Sequence, residues 1–201
     1  DLYDNFESYG LTKLPLMRTI YRNTLYHSAA VTCVSKPLAE HVKQYSGRCT
    51  QISVVENAVD PSLFKPLDRE PCRKSLGLPA SAYLVGMAGA LDESRGINTV
   101  FKAFLHLLSS RLDLHLVLAG RRSKSTSIPE HKNVHYLGEI DHGSVPDFYN
   151  AVDLAIVPLK DSEFGRYCYP QKACEIIACQ RPLLASSVGV MNELFKDYPE
   201  C

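Results

Sequence analysis

The chain has 201 residues, 45% of them hydrophobic and 22% charged, which fits one large or two small globular domains and excludes a disordered, collagenous or coiled-coil protein. Lysine plus arginine number 22 and aspartate plus glutamate 22, so there is no global attraction to nucleic acid or to anionic lipid, and any anion site must be local. No apolar run approaches the ~20 residues that span a bilayer, and residues 1–20 carry neither a basic n-region nor an apolar h-region, so the chain reads as soluble. Asp1 opens directly into structured-looking sequence, as expected of a fragment. The seven cysteines (Cys33, Cys49, Cys72, Cys168, Cys174, Cys179 and Cys201) form no CxxC pair and no zinc spacing, and their number is odd, a pattern of reduced thiols in a cytosolic protein.

Leu14 to Tyr26 reads as a helix on the spacing of Leu14, Met17, Ile20 and Leu25, with Pro15 in its first turn. The β-branched run Ala29–Ser35 reads as a strand covered on both faces, and Ser35 as the N-cap of a helix running to about Tyr45. A short strand, Ile52–Val55, precedes a boundary segment rich in Pro, Asp and Lys from Pro61 to Pro79. The rhythm then restarts with strand Tyr83–Gly89, helix Asn98–Ser109 and strand Leu114–Ala119. Weaker strands at Val134–Leu137 and Asp153–Val157 flank a helix at Val145–Ala151, and helix Tyr169–Cys179 leads to strand Pro182–Ser186. Successive βα units with uniformly apolar strands predict a doubly wound α/β domain.

In open α/β sheets ligands sit at the carboxyl ends of strands, where loops enter helix N-termini that favour anions. Three loops there carry chemistry. In Gly89-Ala-Leu-Asp-Glu-Ser-Arg-Gly96 the two glycines permit close backbone approach and Arg95 offers a fork of donors to a phosphate; the plain alternative is a turn capped by Asp92 or Ser94. In Ala119-Gly-Arg-Arg122, Gly120 ends a strand and lets a base or phosphate approach, beside Arg121 and Arg122, either of which can equally be solvated. In Tyr167-Cys-Tyr-Pro-Gln-Lys-Ala-Cys-Glu175, Pro170 suits the first helical position, so the amides of Gln171 and Lys172 lie unpaired in the first turn. Lys172 and Glu175 share a helix face, placing a cation near a diphosphate and a carboxylate near ribose hydroxyls, or forming only a surface ion pair.

The arrangement resembles the C-terminal domain of retaining glycosyltransferases with the GT-B fold, family 4 type, along nearly the whole chain. The carrying residues are Glu56-Asn-Ala-Val-Asp60 with Phe64-Lys-Pro66, Gly89-Ala-Leu with Arg95-Gly-Ile97, Asn133-Val-His-Tyr-Leu-Gly138, Val145-Pro-Asp-Phe-Tyr-Asn-Ala-Val-Asp153 and Ala155-Ile-Val-Pro158. Glu175-Ile-Ile-Ala-Cys-Gln-Arg-Pro182 and Ser187-Val-Gly-Val-Met-Asn-Glu193 follow in the same order as the family's closing motifs. The chain departs from the pattern at Ala58, where glycine is usual, at Arg95 in place of lysine, at Ala90 in place of arginine, and at Tyr167 in place of an acid. Around Tyr169-Pro170 it resembles the subgroup in which a Tyr-Pro-x-Lys-x-x-Glu stretch carries the nucleotide, with Glu163 as a substitute acid if the loop rearranges.

The resemblance implies an α/β GT-B architecture of two Rossmann-like domains with parallel sheets, truncated at both ends. Residues 1–60 are then the last part of an N-terminal, acceptor-side domain, 61–79 the interdomain crossing and 80–201 an incomplete donor domain. It also implies transfer of a sugar, with retention, from a nucleotide-diphosphate sugar to an unknown acceptor. Arg95 and Lys172 would neutralise the leaving diphosphate from within roughly 10 Å of each other, about one Debye length. Gly89, Gly96, Gly120, Arg121, Tyr169, Pro170, Gln171 and Glu175 would hold the donor. No cofactor and no metal are implied, and no Asp-x-Asp triplet occurs. Two other readings are a degenerate or non-catalytic nucleotide-sugar-binding module and an epimerase of the same fold. The implied setting is cytoplasmic, without nucleic-acid partners. Lys13, Arg18 and Arg22 are either surface charges or a basic face toward a lipid-linked acceptor at the inner side of a membrane. An incomplete first domain should also leave apolar surface around Val31, Cys33 and Val55.

Overall fold

The computed structural model describes residues 1–2, 5, 10–47 and 51–197, and the chain divides into two units. The first takes the described residues of 1–58, 161–170 and 187–197; the second takes 59–160 and 171–186.

In the first unit α1 spans Pro15–His27 and α2 Lys36–Ser46. Ser35 caps α2 as its composition suggests, its hydroxyl oxygen accepting from the Leu38 amide at 3.2 Å. Strands β1 (Val31–Cys33) and β2 (Ile52–Val54) pair in parallel, Val31 opposite Ile52. Their core gathers Leu25, Val31, Cys33, Leu38 and Val42, with Tyr167 and Tyr169 packed against it. One expectation is corrected here. Val31 and Cys33 are 5% and 1% exposed, because β1 is covered by α2 and by Leu2, so that of the three residues expected to be apolar surface Val55 alone is exposed. On α1 the buried position is Leu25, while Leu14, Met17 and Ile20 are exposed. The short helices α6 (Glu163–Tyr167) and α8 (Val190–Phe195) also belong to this unit and have too few turns to show a period.

The second unit is built on a five-stranded parallel sheet in the order β5-β4-β3-β6-β7, comprising β3 (Tyr83–Ala88), β4 (Leu114–Ala119), β5 (Val134–Tyr136), β6 (Leu154–Val157) and β7 (Leu183–Ala185). Leu114, Leu116 and Leu118 face α4 (Ile97–Leu107), while Val117 and Ala119 face the cluster formed with α5 (Val145–Ala151) and α7 (Gln171–Ala178). This double burial explains why β3 and β4 are apolar almost throughout. Packing against α5 is close enough that a Cβ on Gly86 would lie 2.5 Å from Val152 Cγ1.

The Pro-rich stretch after Pro61 contains a helix the sequence did not suggest, α3 (Arg69–Ser75). Its turns bury Cys72 and Arg73 but little else, so it has no apolar stripe. Polar tertiary bonds hold it instead. Arg73, 5% exposed, donates to the carbonyls of Ala151, Ala80 and Ala82 and pairs with Asp153 at 2.7 Å. Asp153 also accepts from the Leu84 amide at 2.7 Å and pairs with Arg69 at 2.6 Å, which ties α3 to the starts of β3 and β6. The described cysteines are all free thiols, with Cys33, Cys72, Cys168 and Cys179 buried; Cys49 and Cys201 lie outside the described residues. Burial pushes the Cys179 thiol up to about 11, which suits packing rather than nucleophilic attack. Among the described residues no helix is long and apolar enough to cross a membrane.

On β4 and β5 the rings of His115 and His135 stack 5.1 Å apart, with Nδ1 of one 2.8 Å from Nε2 of the other. Burial pushes both pKa values below 6.5; the His135 charge, His131 and Lys132 push His115 the same way, and Asp113 opposes them. The unfolded chain therefore binds more protons than the folded one as pH falls through the unfolded value. Stability should be fully present above about pH 6.5 and decline on acidification below it. Urea unfolding at descending pH checks this: the His115→Asn/His135→Asn double variant should show a flatter dependence, and an unchanged slope would remove the pair from the account.

Candidate functional site

Strands β3 and β4 run side by side and end together, Ala88 opposite Ala119, so that Gly89 and Gly120 stand next to each other at the carboxyl edge of the sheet. Both have a positive φ, +121° and +123°, outside the range L side chains readily adopt. The space also requires glycine. A Cβ on Gly120 would fall on the carbonyl oxygen of Gly89, and a Cβ on Gly89 would fall on Cε of Lys172, with Nζ 3.1 Å away. Lys172, in the first turn of α7, thus lays its side chain across the bare backbone at the end of β3.

The two loops are joined beyond the glycines as well. The Gly89 amide donates to Ala119 O at 2.8 Å, the Leu91 amide to Arg121 O at 2.9 Å, and the Ser123 amide back to Leu91 O at 3.1 Å. Thr126 Oγ1 donates to the same Leu91 carbonyl at 2.9 Å. The loop from Gly89 then turns through Glu93–Arg95, a single 3-10 turn capped by Asp92, whose carboxylate accepts from the Ser94 amide at 2.8 Å. Hydrogen bonds from Ser94 hold the Asp92 carboxyl below its usual range, and Arg95 lowers it further. Gly96 ends the turn against Pro158 and the Leu159–Lys160 backbone.

One turn along α7 from Lys172, Glu175 is only 9% exposed and accepts from the Tyr149 hydroxyl at 3.3 Å. Desolvation raises its pKa, against the pull of Lys172, Tyr149, His142 and Gln171. The Tyr149 phenol is itself pushed well above 10, by burial and by the Glu175 charge, so it remains a donor. Glu175 is thus a desolvated carboxylate whose surrounding groups only partly offset its burial, one turn along α7 from Lys172.

The structure therefore brings Gly89, Gly120, Gln171, Lys172 and Glu175 into one neighbourhood, with Arg95 and Gly96 at the far end of the Gly89 loop and Arg121 exposed beside Gly120. Pro170 lies just before α7 rather than at its first position, a shift within the usual spread of helix ends. Tyr169 packs on the first unit's core, and Tyr167 stacks near His41 with ring centres 4.8 Å apart. Glu163 opens α6, where the Ser162 hydroxyl caps the Gly165 amide. Tyr149 lies within the Val145–Asp153 motif but is assigned no site role there, since an aromatic on a short helix reads as core.

Comparison with known proteins places the chain. A protein-family model described as glycosyl transferases group 1 matches residues 82–199, and the chain belongs to that family. It is 29% identical over 161 residues to D-inositol 3-phosphate glycosyltransferase 1 of Catenulispora acidiphila, covering 72% of this chain and 37% of the relative. Sucrose-phosphate synthase of Thermosynechococcus elongatus is similar in structure with a TM-score of 0.72 at 22% identity, covering 90% of this chain and 46% of that one. Anabaena HepE, solved in complex with UDP and glucose, also gives 0.72, at 19% identity, over 90% of this chain and 51% of that one. The chain thus spans half or less of the length of the first two, and the likeness identifies the fold as α/β of the GT-B type with parallel sheets.

The two glycines separate cleanly by experiment. Gly120→Ala drives a methyl into backbone and should cost about 1–3 kcal/mol in denaturant unfolding, as expected for a strained φ with no room to relax. Gly89→Ala meets mainly the movable end of a lysine, so it should cost less stability while displacing Lys172. Equal losses for both would contradict the geometry.

Proposed function

We propose that the protein is a glycosyltransferase that takes its sugar from a nucleotide-diphosphate sugar, with the donor's diphosphate at the carboxyl edge of β3 and β4. The observation that carries this reading is Lys172 laid over Gly89: a cation fixed above bare backbone, where a phosphate can approach without a side chain in its way. Lys172 and Arg95 neutralise charge that builds on the leaving diphosphate, and catalysis is mainly positioning plus electrostatic stabilisation, without a metal. Glu175, fixed by Tyr149, accepts from the ribose hydroxyls. The sugar leaves with retention of anomeric configuration to an acceptor whose chemistry the donor side does not define, in a cytoplasmic setting. Family membership and the UDP and glucose bound to HepE support the donor class. The packing of Tyr167 near His41, where the family pattern has an acid, favours a second reading of nucleotide-sugar binding without transfer.

Calorimetry and turnover with a panel of UDP- and GDP-sugars test both readings. Lys172→Ala should weaken nucleotide binding about tenfold or more, and Glu175→Gln by about 1–3 kcal/mol, typical of losing a charged hydrogen-bond partner. Glu175 has a folded pKa above its unfolded value, so its ionised form destabilises the fold once pH exceeds that value, and Glu175→Gln should unfold at higher temperature than wild type at pH ~7. Binding without turnover favours the second reading, and no binding of any sugar nucleotide overturns both.

A further inference from the structure

Gly120 is held at both ends by the last residue of the edge strand β5 and by the loop that follows it. Its amide donates to Gly138 O at 2.6 Å, and its carbonyl accepts from the Tyr136 hydroxyl at 3.0 Å. Tyr136 is 42% exposed, so burial of its ring does not account for this polar contact. Gly120 has no Cβ to restrict it, so these two bonds define its conformation. Its conformation in turn sets where the Ala119 and Arg121 carbonyls point, and these carbonyls receive the Gly89 and Leu91 amides. Lys172 lies on Gly89. An unbroken line of contacts thus runs from β5 through the ends of β4 and β3 to the lysine of α7.

We infer that Tyr136 is a positioning residue for the donor site: through Gly120 it fixes the paired Gly89 and Gly120 loops under Lys172, and so sets the affinity for the nucleotide diphosphate. This rests on the proposed donor site. The hydroxyl, not the ring, does this. Removing it leaves the core of the second unit intact, because Tyr136 contributes no buried side chain to either cluster.

The test compares wild type, Tyr136→Phe and Lys172→Ala for binding of UDP, GDP and ADP by calorimetry, with melting temperature and amide hydrogen exchange followed in parallel. Loss of one neutral hydrogen bond should weaken the best-bound nucleotide about fivefold to tenfold in Tyr136→Phe. The melting temperature should fall by no more than about 6 °C, the most that loss of one such bond accounts for in a chain of this size, and exchange should quicken at the Gly89 and Leu91 amides. A dissociation constant within about twofold of wild type overturns the inference, as does weaker binding accompanied by a general loss of stability or by unaltered exchange at Gly89 and Leu91. If Lys172→Ala loses affinity while Tyr136→Phe does not, the donor site stands and the role of Tyr136 falls. If wild type binds none of the three nucleotides, both fall.

Discussion

The site depends on the absence of a side chain at the end of β3. Because Gly89 has no Cβ, Lys172 can cross the backbone there, and because Gly120 has none, the β4 loop can close on the Gly89 carbonyl. Either methyl would occupy space already filled. The parallel register of β3 and β4 puts the two glycines side by side, and the apolar faces of those strands, packed on α4 and α5, give the edge a rigid base.

Glu175 shows what such a site costs the fold. An ionised carboxylate at 9% exposure is disfavoured by desolvation, and Tyr149, Gln171, Lys172 and His142 offset only part of that penalty. Asp153 is a contrast: it too is partly buried, but two arginines and a backbone amide satisfy it, and it holds α3 to the sheet. The difference between the two carboxylates is that Asp153 is met by two arginines and a backbone amide, whereas the groups around Glu175 leave its desolvation only partly offset.

Much of the second unit was legible in the sequence because β3 and β4 are buried almost throughout and its α4 stripe repeats at helical spacing; β4 and α5 match their expected bounds to the residue. Helix α3 was not legible, since its stability comes from Arg73 bonds to residues far along the chain, and the prolines around it signal a break. On α1 the period was visible but not which side of it would be covered: Leu25 is buried, and Leu14, Met17 and Ile20 are not. For the site, sequence singled out Gly89, Gly120, Lys172 and Glu175 from loop position and residue chemistry. The contact between Gly89 and Lys172, the Tyr149 bond to Glu175 and the Tyr136 bond to Gly120 join distant parts of the chain, which no local pattern encodes.

The central claim is that a nucleotide diphosphate lies against Lys172 at the ends of β3 and β4. A crystal structure of the protein soaked with UDP-glucose or a GDP-sugar tests it most directly. The account predicts phosphate oxygens within hydrogen-bonding distance of Lys172 Nζ, about 2.7–2.9 Å for a charge-assisted bond, and ribose hydroxyls facing Glu175. Nucleotide density elsewhere on the protein, with the Gly89–Lys172 edge occupied only by solvent, would contradict it.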